Sequence, residues 1–391
     1  MYFKEWLRKE ISTLKEKRLK RSLREIEGPQ GARVVIEGRE VVNLCSNDYL
    51  GLASDPILVE AACKCMQHKG LGSGASRLIC GNMDILCRLE HDIAVFKGCE
   101  SSIVFSTGYM ANVGIISSLF NREDIIFSDR LNHASIIDGI ILSRARFRRY
   151  PHNDMSTLTK MLASSSSRGK RCIVTDSIFS MDGDIAPLDD IVEIARQYNC
   201  IVMIDEAHAF GVIGEKGRGL AEYFNVEDEV DIQMGTLSKA VGSFGAYCCG
   251  SQELISFLVN RARSFIYTTA MPAAVAAASR KAVQIISEDS ERRNTLWSNT
   301  RYMREGLLEM GLDIMNSSTP IIPILVKDSA LAVEFSYRLF DKGVLITAIR
   351  PPTVPLNTAR LRLTVTAVHT KDDLAYALNM IKKVALELGI I

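Results

Sequence analysis

Short β-branched runs alternate with helix-length stretches through the middle of this chain, and that rhythm constrains the fold more than any other feature. The runs are Ser101–Phe105, Asp124–Phe127, Arg171–Thr175, Cys200–Ile204 and Asp231–Met234. Between them lie apolar patterns of helical period such as Tyr109–Phe120, Ala134–Ser143 and Asp189–Tyr198. Strands joined by helices are crossover units rather than hairpins, so the pattern predicts an α/β fold with a mainly parallel, doubly wound sheet covered on both faces. Beyond about Met271 the spacing lengthens to helices over Ala273–Glu288, Glu291–Met310 and Lys371–Leu388, with strands at Ile321–Val326 and Arg362–Val365. This reads as a smaller C-terminal α+β domain.

The expected division is a helix-and-strand segment over 1–45, a large ligand-binding domain over 46–285 and the small domain over 286–391. The first forty residues read as an amphipathic helix, with Trp6, Ile11 and Leu14 at helical spacing, followed by a turn at Gly28-Pro29-Gln30-Gly31. Ser164–Ser167 reads as a surface loop before the Arg171 strand.

Composition removes several classes of function. With 47 Lys and Arg against 46 Asp and Glu, the formal charge is +1, so no global field attracts nucleic acid or an anionic membrane. Ser264–Ser279 is uncharged but shorter than a bilayer span and carries Pro272, and the charged N-terminus lacks the apolar core of a signal peptide. A cytoplasmic location is expected. The ten cysteines show no CxxC zinc pattern and no disulfide framework, so they read as reduced structural thiols, and no metal site is expected.

In doubly wound sheets, ligands sit at the carboxyl ends of the strands, so the residues that follow each run are where chemistry belongs. After the first run comes Ser106-Thr107-Gly108-Tyr109, a hydroxyl and a glycine at a helix start, where unpaired N–H groups can meet a phosphate. Taken alone, it reads first as a plain helix cap. After the second run, His133 stands at a strand-to-helix junction, where an imidazole can lie flat on a planar ligand. After the third comes Asp176-Ser177-Ile178-Phe179-Ser180-Met181-Asp182-Gly183-Asp184, whose hydroxyls and carboxylates can face a pocket.

After the fourth run, Asp205 ends a buried apolar strand and needs a cationic or donor partner, because an unpaired carboxylate there costs several kcal/mol. His208 follows three residues later. After the fifth comes Thr236-Leu237-Ser238-Lys239, a lysine bracketed by small residues. Desolvation there lowers the amine's pKa and frees it as a Schiff-base nucleophile.

The order of these elements resembles the fold-type I pyridoxal-phosphate enzymes, and among them the α-oxoamine synthases. The signatures of that family stand at Asn47–Gly51, Phe179–Asp184, Asp205–His208 and Thr236–Lys239, and the likeness runs from about Leu19 to the C-terminus. The resemblance implies pyridoxal 5′-phosphate held by Lys239, with Asp205 on the ring nitrogen, His133 on the ring face, and His208 and Ser180 near the ring hydroxyl. It assigns the phosphate to Thr107, Gly108, Tyr109 and Thr236, with Thr268 reaching it from a second subunit of a homodimer. Lys239, His133, Asp205 and His208 are then the catalytic set.

Arg362 is implied as the clamp on the substrate α-carboxylate, and Arg21, Asn47, Arg350 and Thr353 as further substrate contacts. Within the family, the strings Leu19–Arg24, Gly72–Arg77, Arg350–Pro355 and Thr358–Arg362 point to members that join L-alanine to a pimeloyl thioester, whether pimeloyl-CoA or a pimeloyl carrier protein, with loss of carbon dioxide. Members using glycine and a short acyl-CoA are the alternative. Two departures stand out: Cys87 in place of the family's usual histidine, expected to alter a contact near the cofactor, and Asn357 in place of a glycine, expected to be turn chemistry only. Asp205–His208 also spells the DEAH string of RNA helicases, but no GxxxxGK[ST] loop precedes it.

Overall fold

The computed structural model describes residues 2–16, 20–21 and 23–391. The chain opens with helix α1 (Tyr2–Glu16), the hairpin β1 (Arg33–Ile36) and β2 (Arg39–Asn43), and helices α2 (Pro56–Lys69) and α3 (Asp84–Lys97). The alternating region follows as β3 (Ser101–Phe105), α4 (Gly108–Leu119), β4 (Ile125–Asp129), α5 (Ala134–Ser143), β5 (Arg146–Tyr150), α6 (Met155–Ala163), β6 (Arg171–Asp176), α7 (Leu188–Tyr198), β7 (Ile201–Asp205), α8 (Leu220–Phe224), β8 (Ile232–Thr236) and β9 (Ala246–Gly250). Helices α9 (Gln252–Arg261), α10 (Arg263–Ile266), α11 (Ala273–Glu288) and α12 (Glu291–Glu309) lead to β10 (Ile321–Lys327), α13 (Ser329–Asp341), β11 (Val344–Leu345), β12 (Thr347–Ile349), β13 (Ala359–Thr364) and α14 (Lys371–Glu387).

Seven strands form the main sheet in the order β3-β9-β8-β7-β6-β4-β5. Five of them, β8 through β5 in that order, pair in parallel, and β9 is inserted antiparallel between β3 and β8. The period-2 alternation of strand side chains separates the apolar residues onto two faces. Ile125, Phe127, Ile173, Val202 and Ile204 enter the core on one side. Ile126, Cys172, Val174, Met203 and Met234 enter the core on the other. Both faces are helix-covered, as a parallel sheet requires.

Strand β9 is absent from the sequence pattern because Ala246-Tyr247-Cys248-Cys249-Gly250 carries no β-branched residue. Strand β5 is an edge whose Arg146, Arg148 and Arg149 are exposed, the charge that keeps an open edge from pairing with other chains.

A second core is built from β10, β13 and β12 against α12, α13 and α14. Val42 and Leu44, from the N-terminal segment, also enter it, and β2 pairs in parallel with β11. Of the N-terminal helix expected from the sequence, the described part is α1. Every residue of α1 is outside the core, because Tyr2, Phe3, Trp6, Leu7, Ile11 and Leu14 find no packing partner large enough to bury them within the chain. Among the described residues, no helix is long and apolar enough to cross a membrane.

The loop Phe179–Asp184 bridges the two cores. Gly183 has φ +70°, and a Cβ there would lie 2.0 Å from the Ile321 carbonyl oxygen on β10. Only glycine combines that left-handed backbone with so close an approach. Gly183→Ala is expected to cost about 2–4 kcal/mol and lower the thermal unfolding midpoint by several degrees, measured by calorimetry; an unchanged midpoint would show that the loop and β10 can separate freely.

Candidate active site

The carboxyl ends of β4, β6, β7 and β8 converge on one pocket of about 160 Å³, lined among others by Gly108, His133, Asp176, Ser180, Asp205, His208, Thr236 and Lys239. Asp205 and Asp176 are register partners at the ends of β7 and β6, so two carboxylates stand side by side. Burial and the neighbouring Asp205 charge push the Asp176 carboxyl well above the usual carboxylate range. It accepts a hydrogen bond from the His133 backbone N–H at 3.0 Å. The Asp205 carboxylate accepts from Asn112 Nδ2 at 2.7 Å and from the Ala207 N–H at 2.9 Å. Those partners satisfy the need for donors that its buried strand-end position imposes.

Lys239 follows β8 and is half-buried. Desolvation lowers its amine to a pKa of about 8, against the opposing pull of Asp205 and Asp176. A substantial fraction is therefore neutral near physiological pH, the form needed to capture a carbonyl. Its Nζ lies 2.8 Å from His208 Nε2, and His208 Nδ1 lies 2.6 Å from the buried Tyr49 hydroxyl. Burial, with the charges of Lys239 and Arg362, keeps His208 neutral by driving its pKa well below the ordinary value.

Two hydroxyl-bearing turns flank the pocket. Thr107 caps α4 by accepting from the Met110 N–H, and the first N–H groups of a helix have no partner within it. Thr236 Oγ1 lies 2.7 Å from Ser238 Oγ and donates to the Gly245 carbonyl. A Cβ at Gly108 would meet Met234 Cε at 3.4 Å and Thr236 Oγ1 at 4.0 Å, so the glycine leaves a cradle between these two turns. Tyr109 turns its hydroxyl outward to Asp138, which leaves its backbone N–H as its means of reaching an anion here.

The small unit reaches in through β13. Arg362 donates from Nε to the Ser180 carbonyl at 2.5 Å, from Nη1 to Thr364 Oγ1 at 2.9 Å and from Nη2 to Asn47 Oδ1 at 3.0 Å. Arg360 pairs with Asp182 at 2.7 Å. Beside this junction lies a second cavity of about 1200 Å³, where Lys20, Arg21, Arg24 and Arg350 meet Ile26, Ile346 and Ile349, with Thr353 at its rim. Arg21, Arg350 and Thr353 thus line this neighbouring cavity and not the lysine pocket. Leu19 and Ser22, from the same N-terminal string, lie outside the described residues.

Two of the residues named from the sequence lie outside the lysine pocket of their own chain. Thr268 does not join the Lys239 pocket; it lines a small crevice with Arg77, Ser106 and Phe265, because the turn after α10 carries it past β3. Cys87 is exposed on α3 and its Sγ contacts Asn82 Oδ1 at 3.7 Å, so it makes no contact in the lysine pocket. Asn357 has φ +60°, the left-handed conformation that asparagine tolerates best after glycine. Sequence reasoning gave no role to Asn112, Ser135, Asp176 or Tyr49. Only the strand-end position of Asp176 offered a signal; the other three are polar residues inside helical or turn segments whose partners are distant in the chain.

The matches to known proteins agree with this geometry. The family profile described as aminotransferase class I and II covers residues 39–381. The chain is 51% identical over 384 residues to the 8-amino-7-oxononanoate synthase of Geobacter sulfurreducens, spanning 98% of each. It superposes on a serine palmitoyltransferase from S. paucimobilis, solved with bound PLP and myriocin, at a TM-score of 0.94 and 30% identity over 98% of each chain. Against an 8-amino-7-oxononanoate synthase from Francisella tularensis the TM-score is 0.78 at 32% identity, over 90% of this chain and 99% of that one.

The chain belongs to the aminotransferase class I and II family, the pyridoxal-phosphate enzymes of fold type I. Within that family it groups with the α-oxoamine synthases, beside relatives named 8-amino-7-oxononanoate synthase.

The loop that carries Ser180 is also held by an ionic contact. His152 lies 3.1 Å from Asp129 Oδ1 and 2.7 Å from Asp184 Oδ2, with its ring edge-on to Phe179. Burial lowers its pKa, but the two carboxylates outweigh burial and hold it at about 10. An unfolded histidine titrates near 6.5, so the stabilisation is complete below that pH and disappears as pH rises through 10. His152→Gln is expected to be less stable than wild type by about 2 kcal/mol at pH 6, with the gap closing toward pH 10 in denaturant titrations. A gap independent of pH would show that His152 is not charged in the folded protein.

Proposed function

We propose that the chain catalyses the pyridoxal-phosphate-dependent condensation of L-alanine with a pimeloyl thioester, releasing the thiol and carbon dioxide and forming 8-amino-7-oxononanoate. The observation that carries this reading is the pairing in one pocket of a desolvated lysine with a strand-end aspartate that still has lone pairs to offer. The residues fit the cofactor. The Gly108 cradle and the hydroxyl turns of Thr107 and Thr236 suit a phosphate, Asp205 suits a protonated ring nitrogen, and Lys239 suits the aldehyde. Bound pyridoxal phosphate supplies the electron sink that makes the amino acid's α-carbon acidic.

In this reading, His133 lies against the ring face, and His208 and Ser180 border its hydroxyl. Thr107, Gly108, Tyr109 and Thr236 hold the phosphate, joined by Thr268 of the partner subunit in a homodimer. With its Nζ free, Lys239 would take the amino acid's α-proton as general base. Arg362, already aimed by Asn47 and the Ser180 carbonyl, receives the α-carboxylate in the bidentate manner that guanidinium favours. The orientation it imposes decides which bond of the amino acid breaks.

The neighbouring cavity supports a long acyl donor with an acidic end. Its isoleucines match a methylene chain, and Arg21, Arg24 and Arg350 match a terminal carboxylate or the phosphates of a carrier. Thr353 completes this wall, and the thiol carrier is either coenzyme A or a carrier protein. The chemistry belongs to the cytoplasm.

Thiol release is expected to be fastest with alanine and pimeloyl-CoA among alanine or glycine paired with pimeloyl-, succinyl- or acetyl-CoA. Glycine with a short acyl group winning would overturn the substrate assignment. Lys239→Ala is expected to remove the visible absorption band of the purified holoenzyme and all turnover, and a band that persisted would displace Lys239 as the cofactor's attachment point. Arg350→Ala is expected to raise KM for pimeloyl-CoA about tenfold or more, with KM for alanine unchanged.

A further inference from the structure

Asn112 sits in the middle of α4 at 0% exposure, and Ser135 opens α5 at 1%. A buried amide in a helix costs free energy unless its protons are used, and a leucine of similar size would fill the same space without that cost. Asn112 Nδ2 donates both protons, one to Asp205 Oδ2 at 2.7 Å and one to Ser135 Oγ at 2.9 Å. Its Oδ1 is buried with no partner. The amide cannot be turned over, since that would set Oδ1 against the Asp205 carboxylate.

Ser135 passes the arrangement on. Its Oγ accepts from Asn112 and lies 2.7 Å from His133 Nδ1, and its backbone N–H donates to the same Nδ1 at 3.3 Å. The Ser135 hydroxyl, whose oxygen already accepts from Asn112, gives its proton to Nδ1 over the shorter distance and the backbone N–H adds a longer donor, so in a neutral imidazole Nδ1 is the bare nitrogen and the ring proton sits on Nε2. Among the described residues, Nε2 makes no hydrogen bond, and His133 lines the lysine pocket. Desolvation lowers the His133 pKa, which favours the neutral ring.

We propose that Asn112 and Ser135 are positioning residues that lock His133 as the Nε2–H tautomer, a hydrogen-bond donor toward substrate oxygen, while tying its orientation to the Asp205 carboxylate on the opposite side of the same pocket. The chain runs in one direction: Asn112 to Asp205 and to Ser135, Ser135 to His133 Nδ1, and His133 Nε2–H into the pocket. This rests on the reading of Asp205 and His133 as the pair that brackets the cofactor ring. Its distinctive content is that a wrong tautomer would present a lone pair to a substrate carboxylate or carbonyl and repel it.

The test is nitrogen NMR of full-length protein labelled in its histidines, with and without pyridoxal phosphate, His133 being assigned by difference against His133→Gln. Six histidines make that assignment tractable. The wild type is expected to show a protonated Nε2 and a bare Nδ1 in both states. Ser135→Ala, a small change at a helix start, removes the shorter side-chain partner of Nδ1 and leaves only the 3.3 Å backbone donor. It is expected to move His133 toward averaged signals and to lower kcat about 10- to 100-fold, the range typical when the outer hydrogen-bond partner of a functional histidine is removed. Ser135→Thr is expected to restore both. Asn112→Leu is expected to weaken pyridoxal phosphate binding about tenfold or more through the freed Asp205 carboxylate.

A wild-type His133 protonated on Nδ1, or a Ser135→Ala protein with the wild-type spectrum, would overturn the proposal. The tautomer is read without turnover, so a chain that locks Nε2–H yet fails to use alanine would refute the substrate reading and leave the relay standing.

Discussion

Lowering the pKa of a buried amine far enough that part of it is neutral is the constraint on which this structure depends. Lys239 is useful only when desolvated, yet a desolvated lysine with no polar company would cost the fold several kcal/mol. The sheet resolves this by ending β6, β7 and β8 together. Asp176 and Asp205 face the amine from adjacent strands, and His208 meets it directly at 2.8 Å. The pKa of about 8 is the balance of those opposing effects. Desolvation alone would push it further, and the carboxylates alone would hold the lysine charged.

The second requirement is that two arginines reach the site from the small unit. Arg362 and Arg360 lie on β13 in the small unit, while their partners Ser180 and Asp182 lie on the loop after β6. Gly183 lets that loop press against β10, and His152 braces its far end through Asp184. The loop is thus gripped from both cores, so the Arg362 guanidinium and the lysine pocket are held in register by hydrogen bonds and ion pairs rather than by a flexible connection. Asn47 completes the junction from the N-terminal segment, whose strands pair with the small unit.

Much of this was legible in the chain. Strands β4, β6, β7 and β8 carry apolar, largely β-branched cores, and polar residues stand at or just beyond their carboxyl ends, so Asp205, His133 and Lys239 could be singled out before any contact was known, whereas β5, Arg-Phe-Arg-Arg-Tyr, carries no such core. What stayed hidden follows a physical pattern. Strand β9 is made of Ala, Tyr, Cys and Gly, whose strand tendency comes from the neighbours it pairs with, not from its own residues. Asn112 and Tyr49 acquire meaning only through partners 23 to 159 positions away, and Ser135 joins its near neighbour His133 to the distant Asn112. Thr268 and Cys87 carried a pattern but no coordinates, and the chain places both outside its own lysine pocket.

The amino-acid order by itself determined the alternation of elements, the sheet they must build and the identity of the residues at its carboxyl edge, because periodicity and local backbone preference act over a few neighbours. Tertiary packing alone decided which groups each buried histidine meets, which carboxyl is pushed above its usual range beside the lysine, and which arginine reaches which pocket. Those outcomes depend on desolvation and on distances between groups far apart in the chain, which no local pattern encodes.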